Sequence, residues 1–180
     1  EKKPLSVCII ANAATVATEL LKRKRIPDIV TDQTPAHDLM EYIPEGKSYS
    51  WNLWYRDKNP EEYLELSKAT LIKHARALMA LQKKGAIVFD YGNQLREQAE
   101  RYGLSMRKKD GNFVYPGFIE AYIRPLFCEG TGSFRWTVLS GLKKDLLTID
   151  NALVNAFPKK PALKRWIEKA QNQVNILGLP

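Results

Sequence analysis

The sequence predicts an α/β fold in which a parallel sheet is flanked by helices and followed by a helical C-terminal extension. Short apolar runs alternate with helix-length amphipathic segments through the first half of the chain. Connections of that length allow the crossovers that parallel strand pairing requires. The end of the chain contains helical patterns without a strand. With 180 residues, 44% of them hydrophobic, the chain can form its own core and is unlike a disordered protein.

The first strand–helix unit is predicted at the amino terminus. Residues 5–10 form an apolar, partly β-branched run that predicts a buried strand. A turn at residues 11–14 leads into a predicted helix over residues 15–24, whose basic side chains lie at its carboxyl end, where the helix dipole favours cations. Pro27 ends this helix, and residues 29–30 begin a second short strand.

The second unit contains the longest predicted helix. Residues 38–58 are interpreted as a long loop rich in aromatic side chains, which is typical of a functional loop or of one packed by its own side chains. Residues 59–62, Asn-Pro-Glu-Glu, are a strong helix start with a capping asparagine. The helix is predicted to reach residue 84 and to stop at Gly85, and residues 86–89 predict the third strand.

A third strand–helix pair is completed by a turn at residues 90–93 and a short helix over residues 94–101. Ligands bind parallel α/β sheets at the carboxyl ends of the strands. The candidate ligand-binding loops are therefore residues 11–14, 31–37 and 90–93.

The character of the sequence changes after Tyr102, and we place a domain boundary near residue 112. This divides the chain into residues 1–112, the α/β part, and residues 113–180, a region that mixes aromatics, glycine and arginine before two predicted helices. Those helices cover residues 142–157 and 161–177.

The charge balance favours anionic partners. The chain has 28 basic and 20 acidic residues, a net charge of +8, which suits nucleic acid, a phosphate-bearing cofactor or a carboxylate substrate without choosing among them. For any one of the short basic clusters, an ordinary solvated surface is the simpler interpretation.

Several classes of protein and site are disfavoured. The apolar stretch at residues 5–21 is interrupted by polar side chains, so no membrane span is predicted. The chain begins at Glu1 without a leader-like segment, from which we expect no secretion signal. The chain has two cysteines and two histidines, too few to indicate a disulfide framework or a histidine-based metal site. The two cysteines favour reduced thiols in a cytoplasmic protein.

Three segments could carry chemistry. Residues 32–38 are rich in hydrogen-bonding side chains, which suit either a polar ligand or a self-bonded turn. The Gly92 turn would let backbone approach a ligand, although an ordinary tight turn has the same composition. Arg124 and Arg135 can fork onto a carboxylate or phosphate, whereas the Cys128 between them, as a lone cysteine, is more often a small buried hydrophobe than a nucleophile.

The sequence contains no glycine-rich dinucleotide fingerprint, no Walker loop and no Ser-His-Asp order. Taken alone, the residues indicate an α/β domain that binds something anionic.

These same segments resemble the urocanase family. The resemblance lies in Asn-Ala-Ala at residues 12–14, D-x-VTDQT-x-AHD at 28–38, FDYGN at 89–93, PGF at 116–118, AYIRPLFC-x-G-x-G-x-FRW-x-x-LSG at 121–141, Arg-Trp at 165–166 and Gly-Leu-Pro at 178–180. It covers nearly the whole chain and is weakest at residues 45–60, 105–113 and 141–162.

The resemblance implies a Rossmann-like sheet and a urocanate hydratase of histidine degradation. Such enzymes hold NAD+ tightly and use it as an electrophile; the urocanate ring attacks the nicotinamide, water adds, and imidazolone propionate forms. The family motif implies that Cys128 is the active-site cysteine and that the full-length enzyme is a homodimer. The residues implied to contact NAD are Asn12, Ala13, Gln33, Thr34, Pro35, Ala36, His37, Tyr42, Ile43 and Tyr91. Roles for Arg124 and Arg135 as substrate-carboxylate or phosphate ligands are our inference from their chemistry.

The sequence departs from the family pattern at a few motif positions. Ala11 stands where the family has glycine, Ser133 where it has proline, and Pro35 and Leu39 alter the polar loop. Urocanases are also longer, with a glycine-rich dinucleotide loop upstream and active-site pieces downstream. We therefore expect a central segment that, when isolated, binds NAD weakly or not at all and turns nothing over.

Two other functions remain open. One is a non-catalytic nucleotide-binding or scaffolding module with the same fold. The other is a basic nucleic-acid binder, which is disfavoured because no helix concentrates the positive charge on one face and no nucleic-acid motif is present.

Overall fold

The computed structural model describes residues 3–129 and 136–173. The chain forms two compact units, Glu1–Thr131 and Gly132–Pro180. The first unit contains a two-stranded parallel sheet with helices around it, and the second contains two helices. The division falls after the boundary predicted near residue 112, because Phe113, Val114 and Tyr115 pack into the core of the first unit.

The two strands place their carboxyl ends side by side. Strand β1 (Ile29–Asp32) pairs in parallel with β2 (Ile87–Asp90), with Ile29 opposite Ile87 and Asp32 opposite Asp90. The pairing confirms the predicted α/β fold, and the loops that follow both strands leave from the same edge of the sheet.

The strand predicted at residues 5–10 is wrong. Residues 3–10 adopt no regular structure, and their apolar side chains are exposed, with 85% of the Leu5 surface and 70% of the Val7 surface accessible. A strand needs a partner for its backbone donors and acceptors. Among the described residues, the sheet consists of β1 and β2, with one further bridge from Asp90 to Gly117 and none to residues 3–10. Apolar, β-branched composition therefore did not suffice to form this strand.

The helices of the first unit surround a core centred on α3 (Pro60–Lys83). Helix α1 (Ala13–Lys22) packs against α3, and α4 (Leu95–Arg101) follows β2. The core face of α3 is formed by Leu71, Ala75, Leu78 and Leu81, which lie at helical spacing.

The amino end of α3 is formed differently from the prediction. Pro60 is at the first helical position as expected, but the Asn59 side chain makes no capping hydrogen bond. Instead the Asn59 carbonyl accepts a hydrogen bond from the Tyr63 amide at 2.9 Å. Proline, the first-turn acids and this backbone bond are enough to begin the helix.

Part of the predicted loop at residues 38–58 is a helix, α2 (Tyr49–Lys58). Ser48 Oγ accepts a hydrogen bond from the Trp51 amide at 3.2 Å and so caps it. Trp51 then stacks on Tyr55, one turn later, with ring centroids 4.3 Å apart. The aromatic residues that suggested a self-packed loop therefore support a helix.

The first unit ends in a π-helical turn (Ile119–Ile123) and the short helix α5 (Arg124–Cys128). None of the helices within the described ranges is long and apolar enough to cross a membrane.

The second unit confirms the helical C-terminal extension. It contains α6 (Lys143–Ala156) and α7 (Pro161–Gln173). Asp150 links them, because its carboxylate accepts hydrogen bonds from Trp136 Nε1 and from Gln171 Nε2, both at 2.9 Å. Trp136 also meets Trp166 edge to face. The last residues of the helix predicted to reach 177 lie outside the described residues.

Candidate functional site

A cavity of about 450 Å³ lies in the first unit, next to the loop that leaves β1. Its volume falls within the roughly 300–1,000 Å³ typical of small-molecule sites. Three separate stretches of chain form it, and the lining residues are Ile10, Ala11, Asn12, Ala13, Thr34, Pro35, Tyr42, Ile43, Pro44, Lys47 and Tyr49.

This cavity brings together most of the residues that the resemblance assigned to NAD. Asn12, Ala13, Thr34, Pro35, Tyr42 and Ile43 all line it. The remaining four do not: Gln33 and His37 are exposed, Ala36 is fully buried, and Tyr91 packs elsewhere.

Asn12 joins two walls of the cavity. Its Oδ1 accepts hydrogen bonds from the backbone amides of Ala14 at 3.0 Å and Thr15 at 3.4 Å, which caps α1. Its Nδ2 donates to the Ile43 carbonyl at 2.8 Å. Through these hydrogen bonds, Asn12 shapes the cavity and places the amino end of α1 beside it.

The turns that leave β1 and β2 converge through Asp32 and Asn93. Buried Asp32 accepts hydrogen bonds from the Thr34 amide at 3.2 Å, from Thr34 Oγ1 at 2.9 Å, and from Asn93 Nδ2. Asn93 also donates to the Thr34 carbonyl at 2.8 Å. The polar loop is thus a self-bonded turn, and that turn forms part of the cavity wall.

Sequence reasoning missed a buried pair behind this wall. The Tyr42 hydroxyl shares a hydrogen bond with His74 Nδ1 at 2.9 Å. Burial raises the pKa of Tyr42, so the hydroxyl keeps its proton and can donate it. Burial lowers the pKa of His74, against the opposing effect of Asp32, whose Oδ1 is 4.0 Å from Nε2. A histidine on the apolar face of α3, between Leu71 and Leu78, was the available signal.

Helix α3 also holds the backbone of the cavity wall. Ser67 Oγ and the Tyr63 hydroxyl donate to the Tyr42 carbonyl at 2.9 and 3.3 Å. The Glu45 amide donates to Thr70 Oγ1 at 3.2 Å. The loop that carries Tyr42 is therefore fixed on the longest helix of the unit.

Tyr91 belongs to an aromatic group that follows β2. Its ring stacks on Phe118 with centroids 5.1 Å apart, and Phe89 meets Tyr122 edge to face at 5.3 Å. Tyr91 and Tyr122 are partly exposed, so this group offers ring surface to solvent close to the end of β2.

The residues predicted to act on substrate lie elsewhere or outside the described chain. Cys128 is exposed at the end of α5, and no described residue makes a hydrogen bond with its thiol. Reactive thiolates sit beside a base or a cation, so its catalytic role stays a prediction. Arg124 lines a basic surface hollow with Arg107 and Lys108, and Arg135 lies outside the described residues.

Within residues 3–129 and 136–173 no group of three His, Cys, Asp or Glu side chains could hold a metal ion.

Comparison with known proteins identifies two matching family models. The model described as the urocanase Rossmann-like domain matches residues 1–122, and the model described as the urocanase C-terminal domain matches residues 125–180. Together they cover almost the entire chain, in agreement with the motifs found in the sequence.

Proposed function

The chain belongs to the urocanase family, and we propose on that premise that it serves the NAD+-dependent hydration of urocanate to imidazolone propionate. NAD+ would be held in the cavity of the first unit. One observation carries the proposal: Asn12, Thr34 and Tyr42, far apart in the sequence, line a single cavity of small-molecule size.

The cavity fits part of a dinucleotide in its chemistry as well as its volume. Ile10, Ile43 and Pro44 give an apolar wall suited to a flat ring, and the amino end of α1, which Asn12 caps, places the positive end of the helix dipole beside it. When bound, NAD+ would supply an electron-poor nicotinamide that acts as an electrophile.

The chain's own residues would bind NAD+ and orient it. Asn12 holds the loop of Ile43 against α1, and His74 holds the ring of Tyr42 in the wall. A wall fixed in this way lets the reacting groups be positioned without reorganisation.

Contacts with the substrate are proposed on chemistry. Arg124 and Arg135 are planar cations that suit the carboxylate of urocanate or a phosphate, and Cys128 is the cysteine that the family motif nominates. Two free thiols at Cys8 and Cys128 suit a reducing compartment, so we also propose a cytoplasmic location, and a homodimer for the full-length enzyme.

The test is NAD+ binding by the purified chain. An absorbance scan and a mass spectrum would detect co-purified NAD, and calorimetry would measure added NAD+. Ala11→Leu adds bulk at an exposed position of the cavity wall and is expected to weaken binding about tenfold, whereas Ala152→Leu, on the exposed face of α6, should leave it unchanged. Because the isolated segment is expected to bind NAD weakly or not at all, the same measurement is made on the full-length enzyme. Absence of saturable NAD+ binding in both proteins would contradict the proposal.

Activity is a separate readout. Loss of urocanate absorbance in the presence of NAD+ would support the hydratase. Retention of NAD+ without loss of urocanate would favour a non-catalytic nucleotide-binding module.

A further inference from the structure

Lys47 is the one residue lining the cavity that carries a formal charge. The other ten lining residues, all in the described part of the chain, are aliphatic, aromatic or uncharged polar. Lys47 also lies in residues 45–60, where the motifs of the urocanase family are matched least. Its presence at the cavity was therefore not indicated by the family motifs.

The charge of Lys47 is not neutralised by the carboxylates described around it. The nearest acidic residue in the sequence, Glu45, is occupied by Lys73 Nζ, at 2.6 and 2.8 Å from its two oxygens, and by Thr15 Oγ1 at 3.1 Å. Among the described residues, Lys47 forms no ion pair. An unpaired cation at the rim of a small-molecule cavity favours an anionic ligand.

The backbone and a ring hold Lys47 at the rim. Gly46 has a φ of +85°, a left-handed conformation that glycine adopts without strain, and Ser48 immediately afterwards caps α2. The Lys47 ammonium lies over the Trp51 ring, 5.3 Å from its centroid. This contact keeps the ammonium near the cavity while its flexible stem leaves it free to turn towards a ligand.

We propose that Lys47 binds the pyrophosphate of the dinucleotide, an inference that rests on the proposed function. The pyrophosphate carries the negative charge of NAD+, and an ammonium is a compact point charge that binds phosphate oxygens. The apolar lining residues would receive a ring, so the cavity offers both a charged and an apolar surface to a dinucleotide.

The experiment compares ligands with and without phosphate. Calorimetry would measure NAD+, inorganic pyrophosphate, nicotinamide riboside and adenosine on the wild-type chain and on Lys47→Gln, Lys47→Arg and Lys58→Gln. Lys58 is an exposed lysine at the end of α2 that does not line the cavity. It is the matched control for loss of one positive charge.

Lys47→Gln is expected to weaken NAD+ and pyrophosphate binding about tenfold and to leave the affinity of both nucleosides unchanged. Lys47→Arg and Lys58→Gln should remain close to wild type. The affinity of the wild-type chain for NAD+ should also fall more steeply with salt than that of Lys47→Gln. A matching loss for the nucleosides would show that Lys47 acts on cavity shape, and would overturn the proposal.

The remaining outcomes separate this inference from the proposed function. If NAD+ binds and Lys47→Gln binds it equally well, the role of Lys47 is overturned and the function stands. If pyrophosphate binding depends on Lys47 but NAD+ binds neither this chain nor the full-length enzyme, the anion site stands and the function is overturned. If neither ligand binds either wild-type protein, both are overturned.

Discussion

Asp32 shows how a single residue can hold two turns of the candidate site together. The side chain is buried, and its oxygens accept hydrogen bonds from Thr34 and Asn93, which compensates for the loss of contact with water. The sequence indicated polar residues at the end of β1. It could not indicate Asn93 as a partner, because that contact depends on the register of two strands.

His74 should make the stability of the first unit depend on pH. Burial lowers its pKa in the folded chain, so between about pH 7 and 5 the unfolded chain takes up a proton that the folded chain does not. The unfolded state is then favoured, and the free energy of unfolding should fall with decreasing pH, by at most about 1.4 kcal/mol per pH unit from this group. Urea denaturation at a series of pH values would measure the slope.

Two variants check the origin of that slope. His74→Gln should flatten the profile between pH 7 and 5, whereas His37→Gln, at an exposed position, should leave the slope as it is. An equally steep profile in His74→Gln would show that other groups are responsible.

At the scale of helices and strands, the sequence predicted the features that depend on neighbouring residues alone. Helix α3 begins at Pro60 and carries its apolar residues at helical spacing, so both its start and its core face were predictable. Residues 5–10 have the composition of a strand but lack a described partner, and pairing is a non-local property. Helix α2 was not predicted because its apolar pattern is weak. The helix is stabilised instead by the Ser48 cap and by the stacking of Trp51 on Tyr55.

The candidate site was predictable only in part for the same reason. Motif resemblance indicated Asn12, Thr34 and Tyr42, and the fold brings them to one cavity. His74 and Lys47 lie outside those motifs, and their positions depend on how α3 and the loop before α2 pack around the cavity.

Arg96 connects α4 to the chain that follows it, and its loss should be costly. Its Nε donates to Asp90 Oδ2 at 3.3 Å, its Nη1 donates to the Tyr115 carbonyl at 3.1 Å, and its guanidinium lies 4.4 Å from the Phe113 ring centroid. Arg96→Met leaves Asp90 buried without its cation. We expect the free energy of unfolding to fall by about 3 kcal/mol, measured by urea denaturation followed by circular dichroism.

Arg101→Met is the matched control, because Arg101 lies on the same helix but is exposed. Its effect should stay within about 0.5 kcal/mol. Equal stability of the two variants would mean that the buried interactions of Arg96 contribute little.

For the whole molecule, the accessibility of the thiols tests where the amino-terminal segment lies. Cys8 and Cys128 are both free and exposed, so Ellman's reagent should titrate two thiols in the native chain as fast as in denaturant. Cys8→Ser and Cys128→Ser should each leave one. Slow reaction of Cys8 would indicate the buried strand that the sequence predicted.

The open sheet has a practical consequence for laboratory work. Ile29 and Ile87, at the start of the two strands, are 61% and 53% exposed, and Leu5, Val7 and Ile9 add further apolar surface. Fluorescent probes such as ANS bind exposed apolar surface, which is why they are used to detect molten globules. We expect the native chain to bind ANS and increase its fluorescence. An ANS signal would therefore not show that this protein is misfolded.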